Sequence, residues 1–284
     1  IMNNVLVVSN FIAGRKRAIK YRRKIQTLLL KKQTRFQFIT IDELQDVDME
    51  TFDTILVVGG DGTVNKVLPY LVNTNKTLGI IPTGTANLLA ANFGINNITN
   101  ALKIIKQENI TKIDVITVNN RPSALRCGLG YDADIIGKTP QSLKNKFGYF
   151  AYLIAGIIFA LRLKNKDYSV IIDNEMRTIK ASCIIIANAG NMYRNLFSIA
   201  KEAKLDDGLF DIFILKTQNP ILFFIEFLKI LLNIKTNSQI AEYIKAKDFK
   251  IKNHYCLAHI DGEKTKFTED LDFEIKSEVI NIFK

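Results

Sequence analysis

Cysteine is scarce in this chain, and its distribution argues against covalent or metal stapling. Cys127, Cys183 and Cys256 are odd in number, widely spaced and form no Cys-x-x-Cys. A disulfide framework or a zinc site is therefore not expected, and a reducing cytoplasm fits. Histidine is limited to His254 and His259, which make no metal-ligand pattern, and no Ser-His-Asp arrangement or Walker A sequence is present. Internal repeats and low-complexity segments are absent. Ile1–Val8 reads as an apolar strand running directly into Ser9-Asn10, with no leader-type segment. The most apolar stretch, Phe147–Leu163, is interrupted by Gly148 and Gly156 and closed by Arg162. It falls short of the roughly 20 residues needed to cross a bilayer. It reads as a buried or membrane-skimming helix, with the buried reading favoured.

What is present is a globular composition: 284 residues, 48% hydrophobic and 24% charged, enough chain for two domains. Net charge is +11, which suggests an anionic partner such as a nucleotide, a nucleic acid or a membrane surface. Outside Arg15–Lys24 and the pair Lys31, Lys32, the cations are scattered, as on solvated helix faces. No aromatic and basic residues interleave in the manner that stacks bases, so no nucleic-acid partner is expected.

The first third alternates strand and helix patterns. Strands are expected at Val5–Ser9, Phe36–Thr40, Thr54–Val58 and Leu78–Ile81, with helices at Arg15–Lys32, Gly62–Val72 and Thr85–Phe93. That alternation implies βαβ units and a parallel sheet. Each strand ends in a polar or glycine-rich turn: Ser9-Asn10, Thr40, Gly59–Thr63 and Pro82–Thr85. In a parallel sheet these turns share the carboxyl edge, where ligands bind. After Ile110 short alternating strands dominate, as in Phe249–Lys252, with helical patterns around Phe147–Leu163 and Pro220–Ile234. The fold class is therefore α/β: an N-terminal parallel-sheet domain, 1–119, and a C-terminal antiparallel sandwich-like domain, 120–284. The boundary is placed at Asn119–Pro122, where Asn-Asn-Arg-Pro punctuates the pattern.

Gly59-Gly60-Asp61-Gly62-Thr63 leaves a strand and enters a helix. The glycines permit positive φ and close approach of backbone N–H groups. The helix start adds unpaired donors and a positive dipole end, making an anion site suited to phosphate. Thr63 can add a hydroxyl. Asp61 would repel phosphate, so it fits better as a Mg²⁺ ligand or as a base for an incoming hydroxyl. The plainer alternative is a tight turn with Asp61 capping the helix.

Gly59–Thr63 resembles the nucleotide loop of the diacylglycerol kinase-like lipid kinases, a superfamily that includes sphingosine and ceramide kinases. NAD kinases and phosphofructokinases carry a related loop. Pro82-Thr83-Gly84-Thr85-Ala86-Asn87-Leu88-Leu89-Ala90 is similar to the lipid kinases' P-x-G-T-x-N-x-x-A segment and narrows the choice. Asn10 and Gly14 match an N-P-x-A/S-G segment in which Phe11 replaces proline. Thr40 matches a nucleotide-contacting threonine. The resemblance implies ATP as cofactor, held by Asn10, Thr40, Gly59, Gly60, Asp61, Gly62, Thr63, Gly84, Thr85 and Asn87.

Further matches follow downstream. Ala124–Ala133 resembles an N-x-x-G-x-G-F-D-A stretch, with Gly128 and Gly130 allowing close packing and Arg126 where asparagine is frequent. Asp206-Asp207-Gly208 resembles a turn that holds a structural Mg²⁺, which implies a carboxylate from Asp207 and carbonyls from Lys204 and Leu209. A plain Asp-Gly turn would look the same. His259-Ile260-Asp261-Gly262-Glu263 resembles the family's D-G-E motif. Read as one strand, it puts Asp261 and Glu263 on the same face, one accepting the proton of a lipid hydroxyl and the other holding it. Asp61 remains a third candidate for the base.

The resemblance therefore implies an ATP- and Mg²⁺-dependent lipid kinase acting on a lipid such as diacylglycerol, serving phospholipid metabolism. It would be cytoplasmic and peripherally membrane-associated, with a homodimer as a candidate assembly. Phe147–Leu163 and Pro220–Ile234 are the candidate membrane contacts. The alternatives are an NAD kinase, or a non-catalytic lipid- or nucleotide-binding regulator.

Overall fold

The computed structural model describes residues 2–9, 15–84, 86–139, 163–188, 191–193, 197–198, 204–232, 234, 236–252 and 256–284. The helix expected over 147–163 lies outside these residues except for Leu163. The chain divides into two compact units, Ile1–Ile113 with Glu278–Lys284, and Asp114–Ser277.

Unit 1 is built on β1 (Asn4–Ser9), β2 (Arg35–Thr40), β3 (Thr54–Gly59) and β4 (Thr77–Pro82), with α1 (Arg15–Lys31), α2 (Asp61–Val67), α3 (Leu88–Asn92) and α4 (Ile98–Gln107). All pairs are parallel, in the order β2-β1-β3-β4. β3 and β4 are buried along their whole length, as continuous apolar runs in parallel sheets are. The helices supply the cover: α1 buries Ile25 and Leu29, one turn apart on one face, and α4 buries Ile98, Ala101 and Ile105 behind an Asn97 cap. Register fixes the edge: Ser9 pairs with Thr40 and Gly59 with Pro82, so the strand-end turns align as expected.

Two helices differ in extent from the sequence reading. α2 ends at Val67 and passes into a short 3₁₀ turn, Leu68–Tyr70, in which Pro69 sits at a helix start. α3 begins only at Leu88, because Asn87 adopts a left-handed conformation (φ 51°) that no preceding helix could continue through.

Unit 2 is an antiparallel sandwich. One sheet runs β14 (Ala241–Ala246), β13 (Phe210–Leu215), β10 (Cys183–Ala187), β7 (Arg126–Gly130), β16 (Cys256–Ile260) and β17 (Glu263–Phe267). The other contains β9 (Glu175–Ala181), β8 (Lys166–Ile172), β15 (Phe249–Lys252) and the first part of β18 (Leu271–Phe283). Alternate residues of both sheets, such as Ile184, Ile186, Phe210, Ile212, Tyr168, Val170, Phe249 and Ile251, share one buried cluster. The helices α5 (Tyr131–Lys138) and α6 (Pro220–Leu231), the short pair β11 (Asn191–Tyr193) and β12 (Phe197–Ser198), and the hairpin strands β5 (Ile110–Val118) and β6 (Arg121–Ser123) complete the elements.

Several sequence-level readings change here. Asn119-Asn120 is the two-residue turn of the β5–β6 hairpin, both residues at positive φ, and the compact units part a few residues earlier, within β5 after Ile113. Asp173-Asn174 makes the same kind of turn between β8 and β9. β9 has no sequence signal because four of its first five residues are exposed and the apolar alternation is lost. The expected single strand over Tyr243–Ile251 is two, β14 and β15. Asp173 Oδ1 accepts the amides of Lys247 and Asp248 at the bend between them. The tail, Glu278–Lys284, returns to unit 1, where Asn281 and Ile282 pair in parallel with Thr77 and Leu78 of β4.

Candidate functional site

In unit 1 the two glycine-containing loops meet. Gly60 caps α2, and its carbonyl accepts the amides of Thr63 and Val64. Thr83 donates its amide to the Gly59 carbonyl at 3.0 Å, which joins the loops. A Cβ on Gly84 would sit 2.5 Å from the Gly60 Cα, and one on Gly59 would sit 2.4 Å from Thr63 Cβ. None of Gly59, Gly60, Gly62 or Gly84 has positive φ. The first, second and fourth are glycine to make room rather than to adopt left-handed backbone, which corrects the conformational reason offered from sequence. Gly62 has open space around it.

Asn87 locks the second loop: its Oδ1 accepts the Gly84 amide at 3.0 Å and its Nδ2 donates to the Gly84 carbonyl at 2.8 Å. Asp61 is the first residue of α2, yet it caps the other helix, its Oδ1 accepting the Leu89 amide at 3.2 Å. Thr63 is buried over Gly59. Thr40 donates both its amide and its hydroxyl to Glu43, and a cavity of about 380 Å³ opens beyond it, lined by Ile41, Asp42, Leu44, Gln45, Lys66 and Tyr70. The glycine loops do not line that cavity. Asn10 and Thr85 lie outside the described residues.

In unit 2 Asp261 is a turn residue. Asp261-Gly262 links β16 to β17, with φ of 45° and 89°, so Asp261 and Glu263 do not share a strand face as the sequence suggested. The turn interrupts the alternation, and Glu263 opens β17 with its side chain exposed. The Asp261 carboxylate instead sits in a nest of donors from one segment: Ser123 Oγ at 2.7 Å and the amides of Ala124, Leu125 and Arg126 at 2.8–3.2 Å. The Asp261 amide returns a bond to the Arg126 carbonyl. Burial raises its pKa, while the Ser123 and backbone donors pull against that rise.

Beneath the turn lies a pair the sequence did not reveal. His259 Nε2 is 2.6 Å from Asp132 Oδ2, both buried, and His259 Nδ1 accepts the Gly262 amide at 3.3 Å. With Nδ1 accepting, the ring proton is on Nε2 and points at Asp132. Burial works against the Asp132 charge, but the Arg126 guanidinium at 3.7 Å and His259 outweigh it and hold the carboxyl well below its usual range. A Cβ on Gly128 would lie 2.1 Å from Asp132 Oδ2 and 2.4 Å from His259 Nε2. Gly128 is thus glycine to admit this pair, whereas Gly130 takes a left-handed backbone (φ 67°) against the Ser182 carbonyl.

Both arrangements fall in regions shared with known proteins. The diacylglycerol kinase catalytic domain family matches residues 4–118, and the YegS C-terminal NAD kinase β-sandwich-like domain family matches residues 126–283. The chain belongs to the diacylglycerol kinase-like family. A Staphylococcus aureus diacylglycerol kinase is 31% identical over 60% of this chain and 55% of its own length. An uncharacterised Synechocystis protein is 36% identical over 63% of this chain and 41% of its own. The match thus spans about half the length of these relatives. Two Bacillus anthracis str. Sterne structures share the fold. One has a TM-score of 0.80 at 22% identity, covering 99% of this chain and 95% of the other. The second, described as a diacylglycerol kinase, has 0.75 at 20%, covering 99% and 97%.

In this diacylglycerol kinase-like chain the Asp206–Gly208 turn is tied down by protein groups. Asp114 Oδ2 accepts the Gly208 amide at 2.7 Å, and the Asp114 amide donates to the Leu205 carbonyl. Asp207 accepts the Leu209 amide through Oδ1, and its Oδ2 lies 2.8 Å from Lys245 Nζ. That ammonium occupies the Oδ2 side of the Asp207 carboxylate. Both carboxylate oxygens of Asp207 are thus engaged within the protein, so the Lys204, Asp207 and Leu209 set as placed does not fit Mg²⁺. Neighbouring Asp211 is buried, accepts the Tyr243 hydroxyl, and has one oxygen with no hydrogen-bond partner. Burial pushes its pKa up, against the Tyr243 hydroxyl bond and the Lys245 charge. Asp114, Ser123, Asp132 and Lys245 were all invisible as site residues in the sequence. Each acts across more than thirty positions of chain, and although Asp132 falls within the matched Ala124–Ala133 stretch, nothing there points to its partner.

Proposed function

We propose that this chain transfers the γ-phosphate of ATP to the hydroxyl of a lipid alcohol, with diacylglycerol the first candidate, at a membrane surface. The supporting observation is the back-to-back packing of Gly60 and Gly84, which brings the starts of α2 and α3 together as paired N–H surfaces for phosphate. Phosphoryl transfer needs positioning and charge neutralisation more than covalent chemistry, and this geometry supplies positioning.

Asp61 is the residue that would hold Mg²⁺ here. A lone carboxylate suits that ion, which takes its remaining ligands from nucleotide oxygens and water and, when bound, neutralises phosphate charge. Asp61's bond to Leu89 fixes where the carboxylate points. Asp261 is the proposed base: its donors hold it in one orientation, and burial favours its protonated form. Both properties suit a group that must take a proton at a set position. Glu263, exposed at the next strand start, is assigned to contact the acceptor.

The test is labelled ATP with a panel of lipid alcohols in mixed micelles, and NAD as a parallel acceptor. A labelled lipid phosphate, lost in Asp61→Ala and Asp261→Asn, is the expected result. Full activity in both variants, or label passing to NAD alone, would sink the proposal.

A further inference from the structure

Helix α6 is built inside out. Asn219 caps it, its Oδ1 accepting the amides of Ile221 and Leu222, and Pro220 follows at the first helical position. The inward side carries Phe223, packed edge-on to Tyr131 with ring centroids 4.8 Å apart, and a carboxylate. Glu226 is 2% exposed. It takes Lys229 Nζ at 2.6 Å and the Asn237 amide at 3.0 Å.

The outward side carries large apolar residues. Ile221 is 69% exposed, Phe224 44%, Ile225 42%, Leu228 39% and Leu232 64%. Ile221, Ile225, Leu228 and Leu232 follow the spacing of a single helix stripe. A surface helix of a protein surrounded by water has the opposite arrangement. A contiguous exposed apolar ridge marks an interaction surface.

We propose that this ridge lies in the headgroup–acyl boundary of an anionic bilayer and holds the chain on it, an inference that rests on the lipid-acceptor reading above. The observations select a bilayer in three ways. The sole acid between Pro220 and Leu232 is Glu226, and it faces inward, so the ridge presents no negative charge to an anionic headgroup. Glu226 is neutralised by Lys229, and the chain carries a net +11, which complements an anionic surface. At 12 residues α6 is about 18 Å long, far too short to span, and no described helix is long and apolar enough to cross. It therefore lies in the membrane plane, the arrangement of interfacial helices.

The experiment is vesicle flotation without nucleotide, using phosphatidylcholine vesicles and vesicles with added phosphatidylglycerol. The full chain is compared with Ile225→Asp/Leu228→Asp and with the single variant Ile221→Asp, whose side chain is the most exposed of the ridge. Melting curves check folding. The chain has no tryptophan, so Phe224→Trp gives a fluorescence reporter free of background. Expected are flotation with the anionic vesicles, about a tenfold loss in the aspartate variants, and a blue shift of the Phe224→Trp variant's emission on binding. Phosphorylation of a short-chain, monomerically dissolved lipid alcohol is read separately and is expected to be unchanged in the ridge variants. Loss of that activity in every protein would count against the lipid-acceptor reading, whereas flotation reports on the ridge. Failure of the parent chain to float on either vesicle, or flotation unaltered by the aspartates, overturns the proposal. So does a solution dimer that these substitutions split, because the ridge would then cover a second copy of the chain.

Discussion

Gly60 and Gly84 come from different loops, yet their backbones touch: a Cβ on Gly84 would fall 2.5 Å from the Gly60 Cα and 2.9 Å from Asn87 Oδ1. Neither neighbour is a flexible side-chain end that could swing aside, since one is backbone and the other is bonded to Gly84 itself. The starts of α2 and α3 are therefore set by the absence of one methyl group.

Gly84→Ala should push the loops apart and weaken ATP binding by about tenfold or more, equivalent to roughly 1.4 kcal/mol. Gly62→Ala, with nothing within 4 Å of the added methyl, should fold normally and serves as the control. Calorimetric titration of nucleotide into both variants decides the matter. Equal affinities would remove the loop contact from the account.

Asp61 separates a structural from a chemical role. Asp61→Asn keeps an oxygen for the Leu89 amide, so its melting temperature should stay near that of the parent. Asp61→Ala should lose about 1 kcal/mol as a missing cap. Both should lose phosphoryl transfer by at least about a hundredfold if the carboxylate acts on charge. Activity surviving in Asp61→Asn would confine Asp61 to capping.

The Asp261 nest can be probed at its edge. Ser123→Ala removes one donor and should cost about 1 kcal/mol. Asp261→Asn should cost more, about 1–3 kcal/mol, because even with its oxygen kept at the Oδ1 position its NH2 would point hydrogens at the Ala124 amide. Urea unfolding of both, read against activity, tests the order. A greater loss in Ser123→Ala would contradict the geometry.

Asp132 predicts an acid sensitivity with a definite sign. Its folded pKa lies below the ordinary value, so its ionisation stabilises the fold above the unfolded carboxylate pKa of about 3.9. That contribution is lost as pH falls through this value toward the depressed one. Between pH 6 and pH 3, Asp132→Asn should therefore lose less stability than the parent. The same loss in both proteins would remove Asp132 from the acid response. Gly128→Ala, which would thrust a methyl between Asp132 and His259, should unfold or melt far lower.

The legible parts of this molecule were those whose cause is local. β1, β3 and β4 could be read because buried parallel strands are apolar throughout, and Gly59–Thr63 because a strand, a turn and a helix start adjoin. The Asp261 motif was legible as a string but not as a shape: its two-residue turn reverses the chain, which a face-counting argument on a single strand misses. The nest at Ser123–Arg126, the Asp132–His259 pair and the Lys245 partner of Asp207 were not legible. Those contacts join residues 127–138 or 38 positions apart in the chain, and no periodicity carries across such a distance. The Asn119-Asn120 punctuation was legible, and the two family matches part across it, but its shape was not, because a hairpin turn and a linker use the same residues.

The parallel pairing of Asn281 and Ile282 with Thr77 and Leu78 has a consequence for biosynthesis. The strands of unit 1 leave the ribosome first, but the flank of β4 stays uncovered until the whole of unit 2 has been translated and the tail comes back. During that interval a fully buried apolar strand presents an unpaired edge, the feature most prone to intermolecular association. A nascent chain arrested before residue 278 should need a holding chaperone.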